Sequence, residues 1–276
     1  MWETSDLSGA QEVFFTGHTL SGYCISGIIY LLLPVIAFGL MKKYNAAKFY
    51  PVIVGIIVYF LAVQFSNLSA HLIGFSQSVG NKTVLAAEMV CYFEEAGRWL
   101  AMRYPVTDIR KNNAAICYGI GHGGLECWIR GFQKLGIFRD GKQLNAEGIS
   151  SFLAGKTDKA AEHMTRQMQL YADHPLSLSI LETLHSITSF GFHIALSLLI
   201  FRKMQETNYQ KRWLLLAILL HICMNLTGWI TSFSENPYLS DFAGLLCGTA
   251  IIVFVCKIVK ISNAINEIKY PLDDCI

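Results

Sequence analysis

Ionisable and hydrogen-bonding side chains stand inside apolar stretches at four places in this chain. They are Glu94-Glu95-Ala96-Gly97-Arg98, Gly121-His122-Gly123-Gly124-Leu125-Glu126, His193 with Ser197, and His221-Ile222-Cys223-Met224-Asn225. A charged side chain in hydrocarbon costs about 2.5 kcal/mol or more, so such groups face a protein interior or a wet cavity. A buried carboxylate beside histidines can take a proton from water, and a neutral imidazole can orient that water or protonate a leaving amine. An Asn amide can donate to an oxyanion as it develops, a contribution of about 3–4 kcal/mol when preorganised. Glu94 or Glu95, His122, His193, His221 and Asn225 therefore suffice for peptide hydrolysis without a metal or other cofactor. The same carboxylate with His122, His193 and His221 could instead hold zinc, with a water in the open position. No HExxH helix supports that alternative.

Helical spacing puts the members of each cluster on one face. Arg98 follows Glu94 by four residues and Glu95 by three, so it can reach either carboxylate one turn away. His122 and Glu126, His193 and Ser197, and His221 and Asn225 are each four apart. Gly119, Gly121, Gly123 and Gly124 bare the backbone around His122, which permits close helix approach. Arg98, Glu126, Glu182 and Ser197 rank as supporting residues rather than reacting ones.

The elements that must position these groups follow from composition. The chain has 276 residues, 53% hydrophobic and 15% charged, with a mean hydropathy of +0.40. Soluble domains carry about 25% charged residues, so an all-α, polytopic membrane bundle is expected. The net charge of +2 is too small to argue for nucleic acid. Residues 1–15 hold Glu3, Asp6 and Glu12 without Lys or Arg, unlike a signal peptide. The eight cysteines form no CxxC pair and read as small buried hydrophobes.

Seven spans are expected, at residues 22–41, 51–75, 84–102, 113–132, 176–201, 213–233 and 242–259. The third and fourth contain charges and count as spans because those charges have partners within reach. Basic residues follow the first, third, fifth and seventh spans: Lys42, Lys43 and Lys48; Arg103, Arg110 and Lys111; Arg202, Lys203, Lys211 and Arg212; Lys257, Lys260 and Lys269. Positive-inside bias then puts the N-terminus outside and the C-terminus in the cytoplasm. The long connection 136–175 would lie outside as short amphipathic helices, a surface elaboration or a lid on a single transmembrane domain.

Depth unites the four clusters. Glu94 lies nine residues before Arg103, His193 nine before Arg202, and His221 nine after Arg212; His122 lies ten after Asn112. At 1.5 Å per residue all four are about 13–15 Å from the cytoplasmic boundary. The helices alternate in direction, so a common offset from their N-termini cannot explain this.

The ordered set EExxR, GxGHGGxE, Glu182 to His193 and Ser197, and a final HxxxN resembles the YhfC-type intramembrane peptidases. That family is related to the CAAX-prenyl-endopeptidase and bacteriocin-processing proteases and to PrsW. The resemblance runs from about Glu94 to Asn225, and GHGGxE is its most specific piece. It implies that the Glu pair supplies the base and that His122, His221 and Asn225 complete the site. Two departures matter. The prenyl-endopeptidase pattern has three residues between the Glu pair and Arg, and here Ala96 and Gly97 make two, which leaves the base open between Glu94 and Glu95. Some family members end in HxxxD where this chain has Asn225, and an amide favours the oxyanion role without metal.

The expected activity is hydrolysis of a peptide bond in or near a membrane segment, with a membrane-embedded peptide or protein as partner. A proton-coupled transporter using the same Glu and His residues is the alternative, and a non-catalytic immunity or scaffold protein is a third. Transporters commonly show repeated halves, and no such repeat is visible.

Overall fold

A computed structural model describes residues 13–44, 46–72, 81–104, 112–206, 210–231, 234 and 236–269. They form nine helices and no strand: α1 Gly17–Lys43, α2 Phe49–Leu72, α3 Asn81–Arg103, α4 Asn112–Glu147, α5 Ile149–Phe152, α6 Asp158–Ala172, α7 Leu176–Glu206, α8 Gln210–Thr231 and α9 Pro237–Lys269. A helix stands at each of the seven expected spans. Four stretches are long and apolar enough to cross a membrane on those grounds alone: Gly17–Lys43, Phe49–Ser69, Leu176–Gln205 and Pro237–Lys260. The other three, on α3, α4 and α8, carry Glu94, Glu95 and Arg98, His122 and Glu126, and His221 and Asn225. The protein is a polytopic, all-helical membrane protein. Arg110 and Lys111, and the expected span ends at Phe75 and Phe233, lie outside the described residues.

Exposure is inverted relative to a soluble fold. Ile57, Phe60 and Leu68 of α2, and Phe242, Leu246 and Val253 of α9, point outward, while Glu95, Arg98, His122 and Ser197 are fully buried. Helices satisfy their own backbone, so apolar side chains can face lipid and the polar ones can gather inside.

The chain divides into two compact units, one made of residues 1–29 and 130–180 and the other of 30–129 and 181–276. In the first, Val13, Phe15, Tyr23, Leu144, Met168 and Ala172 form the core. Asn145 fastens the chain before α1 by donating to the Phe15 carbonyl at 2.7 Å and accepting from the Phe15 N–H at 2.9 Å. The amphipathic helices expected in 136–175 are α5 and α6. However, α4 runs on to Glu147 instead of ending near Phe132. The sequence changes charge there, not helix propensity, and the apolar signal fades while the helix continues.

In the second unit α2 packs on α3, α3 on α8, and α8 on α9. Ala101, Met102, Tyr118, Phe192, Leu196 and Ala217 fill its core. Glycine sets how closely α4 is held. A Cβ on Gly55 would collide with the Tyr118 carbonyl, and one on Gly119 would fall 2.6 Å from the Ile194 Cα. Small residues let membrane helices approach at backbone distance. That approach brings the His122 ring against α3 and α7.

Candidate active site

All ten residues singled out from the sequence belong to the second unit, and eight of them meet directly. Glu94 and Glu95 are successive on α3, so they point about 100° apart and find different company. Glu95 Oε2 accepts from Arg98 Nε at 3.0 Å and Oε1 from Arg98 Nη2 at 3.1 Å, a two-pronged pair one turn apart. Oε1 also lies 2.8 Å from His221 Nδ1. Glu95 is thereby fully engaged.

Arg98 spends its remaining donors on α7. Its Nη1 donates to the His193 carbonyl at 2.8 Å and to Ser197 Oγ at 2.6 Å, and Nη2 is 3.1 Å from His193 Nδ1. Ser197 Oγ in turn donates to the His193 carbonyl at 2.7 Å. A buried guanidinium is tolerable only with this degree of pairing. The four-residue spacing of His193 and Ser197 therefore serves Arg98.

Glu94 stands differently. Its Oε2 lies 3.0 Å from His122 Nε2, and 3.9 Å from both His193 Nδ1 and His221 Nε2. Three imidazoles from α4, α7 and α8 thus converge on one oxygen from α3. The His122 and His193 ring centroids are 5.0 Å apart, and those of His193 and His221 are 5.3 Å apart. Two sets of potential metal-ligand atoms lie mutually within 4.8 Å: Glu94, His122 and His193, and Glu94, Glu95 and His221. On its far side His193 Nε2 is 3.0 Å from Glu126 Oε2, one turn along α4 from His122.

Asn225 stands one turn beyond His221, with Nδ2 donating to Cys91 Sγ at 2.9 Å. Reading the cysteines as small hydrophobes missed this contact. Cys91 is buried and lies three residues before Glu94, a spacing that could have placed it beside the site. Tyr118 stacks on His122 at 5.8 Å and Tyr59 meets it edge-on at 5.2 Å. Those aromatic walls were also not foreseen. Glu182 is the residue set apart: it precedes His193 by eleven positions on one continuous helix, about 16 Å along the axis.

The chain is 25% identical over 213 residues to "Uncharacterized membrane protein YhfC" of Bacillus subtilis (strain 168), covering 73% of this chain and 80% of that protein. No solved structure matches. The model of the family described as YhfC intramembrane metalloprotease matches residues 29–236, which include every residue of the site. The word metalloprotease goes with the zinc alternative and gives no support to the metal-independent route expected from Asn225. With that match across most of its length, the chain belongs to the YhfC intramembrane metalloprotease family.

Proposed function

We propose that this protein is an intramembrane peptidase that cuts a peptide bond in or near a membrane segment, at a metal-assisted centre built around Glu94 with His122, His193 and His221. The observation that carries the reading is the convergence of imidazoles from separate helices on Oε2 of Glu94, at 3.0 and 3.9 Å. Carboxylate and imidazole are the donors zinc takes in hydrolytic sites, often as two His and one Glu with a position left for water.

The residues present fit that ion. His122 Nδ1 is buried with no hydrogen-bond partner, so its whole polar engagement is through Nε2 toward Glu94. His221 Nδ1 is tied to Glu95, which turns Nε2 toward Glu94. A carboxylate behind a ligand histidine is the usual means of fixing its tautomer. Zinc bound there would polarise the scissile carbonyl and acidify a water. Glu95, saturated by Arg98 and His221, orients rather than reacts. Asn225 follows His221 by one turn and offers its amide to the oxyanion once the peptide displaces Cys91 as its partner.

The basic flanks support an outside N-terminus and a cytoplasmic C-terminus. A reporter between Gln205 and Tyr209 should therefore score as cytoplasmic, and one within 141–157 as external. The reverse pattern would overturn that orientation.

The direct test uses the full chain in liposomes with a transmembrane peptide labelled at both ends. Cleavage should stop on chelation and return with zinc. Cleavage that persists after complete chelation would restore the metal-independent glutamic route. A proton flux without cleavage, lost in Glu94→Gln, would replace the peptidase with a transporter.

A further inference from the structure

We infer that the second unit binds an anionic phospholipid, with an acyl chain in the apolar cavity between α1, α2 and α4 and the head group on Lys42, Lys43 and Lys48. Lipid binding there is separate from peptide cleavage, because the cavity and His122 lie on different faces of α4.

The cavity measures about 170 Å³. α1 supplies Pro34 and Phe38 to its wall, α2 supplies Phe49 and Ile56, and α4 supplies Gly121 and Trp128. Two glycines of α4 keep the floor bare. A Cβ on Gly121 would run into the Val52 backbone, and one on Gly124 would come 2.9 Å from the Pro34 Cβ. Trp128 carries the one polar side-chain atom of the lining, and its Nε1 donates to the Leu31 carbonyl at 3.1 Å. The space that remains suits hydrocarbon and gives water no side-chain partner. Val35 and Phe49 of the wall are exposed, so a chain can enter sideways from the bilayer.

The cavity is not a pocket for the scissile segment. Gly121, Gly124 and Trp128 follow one another by three and four residues and share one face of α4. His122 is turned about 100° or more from each of them. A Cβ on Gly123 would meet His193, at 3.2 Å, on the side of the site. An acyl chain in the cavity would back the strip of α4 that carries His122.

The lysines stand at one end of this cavity. Lys42 follows Phe38 by four residues on the same face of α1, and Lys48 directly precedes Phe49. The Phe38 and Phe49 ring centroids are 6.2 Å apart at that end. The turn between the helices is fastened to α4: the Lys48 N–H donates to Cys117 Sγ at 3.3 Å, and Cys117 Sγ to the Ala46 carbonyl at 3.9 Å. Lys42, Lys43 and Lys48 are exposed, and the sequence has no Asp or Glu between Glu12 and Glu88 to offset them. Tyr44 and Tyr50 beside them are exposed as well, and such rings sit at the level of lipid head groups. An uncompensated basic turn one helical turn from an apolar cavity repeats the layout of a phospholipid, an anionic head and then a tail. Orientation of the chain alone would call for the lysines and not for the cavity beside them.

The test places the full chain in phosphatidylcholine vesicles containing brominated phosphatidylglycerol or brominated phosphatidylcholine, the same in both leaflets. Bromine on an acyl chain quenches indole fluorescence on contact, and the Trp128 signal is the difference between wild type and Trp128→Phe. Brominated phosphatidylglycerol should quench it at a mole fraction at least about fivefold lower than brominated phosphatidylcholine, the effect of a single lysine on an anionic lipid. Combined Lys42→Gln, Lys43→Gln and Lys48→Gln should erase that preference, and Arg at the same three positions should keep it. Ile56→Phe, which fills the cavity, should weaken quenching by both lipids. Equal quenching by the two lipids in wild type, or a preference that survives the Gln changes, would overturn the head-group assignment. Quenching undiminished in Ile56→Phe would remove the acyl chain from the cavity.

Discussion

Glu94 and Glu95 are adjacent in sequence, equally deep in α3 and almost equally buried, yet they live in different surroundings. Around Glu95 every polar group is answered: Arg98 grips both oxygens, His221 adds a third contact, and Ser197 and the His193 carbonyl absorb what Arg98 has left. Around Glu94 the partners crowd one oxygen, and the imidazole nearest to it has an unpartnered nitrogen on its other edge. One environment is complete without anything else present. The other gathers imidazole nitrogens from three helices about a single carboxylate oxygen. Adjacent carboxylates on a helix are separated by function because a turn of 100° hands them to different neighbours.

The largest effects should fall on either side of that division. Glu94→Gln should all but abolish peptide cleavage, because it takes the carboxylate from the proposed metal centre, while the protein stays folded. Arg98→Met should do the opposite kind of damage. It leaves Glu95 buried without its cation, and breaking one partner from such a pair costs about 3–5 kcal/mol of stability. Thermal unfolding in detergent separates the two outcomes. A folded, inactive Glu94→Gln beside an unstable Arg98→Met upholds the contrast between the two carboxylates. An unstable Glu94→Gln would show that both are structural.

Much of this arrangement was legible in the sequence, and the reason is the constancy of helix geometry. A fixed rise put Glu94, His122, His193 and His221 at one depth, and the three-residue step from Glu95 to Arg98 allowed their pairing. Partners across helices were not legible. Nothing in the order of residues told whether His193 faces Glu94 or Glu126, because that depends on how α4 and α7 rotate about their contact at Gly119. Cys91 was missed for a different reason. A thiol in an apolar run counts as a hydrophobe in any periodicity argument, and the nearby amide of Asn225 reveals it as a hydrogen-bonding wall of the site.

At that wall the expected effects are smaller. Asn225→Ala should cost about 10²–10³-fold in kcat if its amide faces the oxyanion. Cys91→Ala removes the partner of the resting amide, and should cost about tenfold or less, since a lost neutral hydrogen bond is worth about 0.5–1.5 kcal/mol. Equal losses in the two variants would mean that Cys91 takes part in the reaction, and that the thiol and amide work as one unit, as Glu95 and Arg98 do in holding the fold.

The smallest effect belongs to Glu182, a carboxylate that the family motif includes but the fold removes from the centre. α7 is unbroken from Leu176 to Glu206, so the eleven positions from Glu182 to His193 amount to about 16 Å of axial distance. No side chain spans that gap. Its immediate environment is also a separate one: His185, one turn on, pairs with Asp241 of α9 at 2.8 Å, with both side chains about one-fifth exposed. A partly solvated carboxylate in such a place gains about 1 kcal/mol or less from its pairing. Glu182→Gln should therefore leave zinc affinity unchanged and turnover within about twofold, where Glu94→Gln all but abolishes turnover. The pair is a strict control, because both are single carboxylate-to-amide changes at motif positions on site-bearing helices. If Glu182→Gln proved as damaging as Glu94→Gln, distance from the imidazole cluster would not be what separates site carboxylates from bystanders.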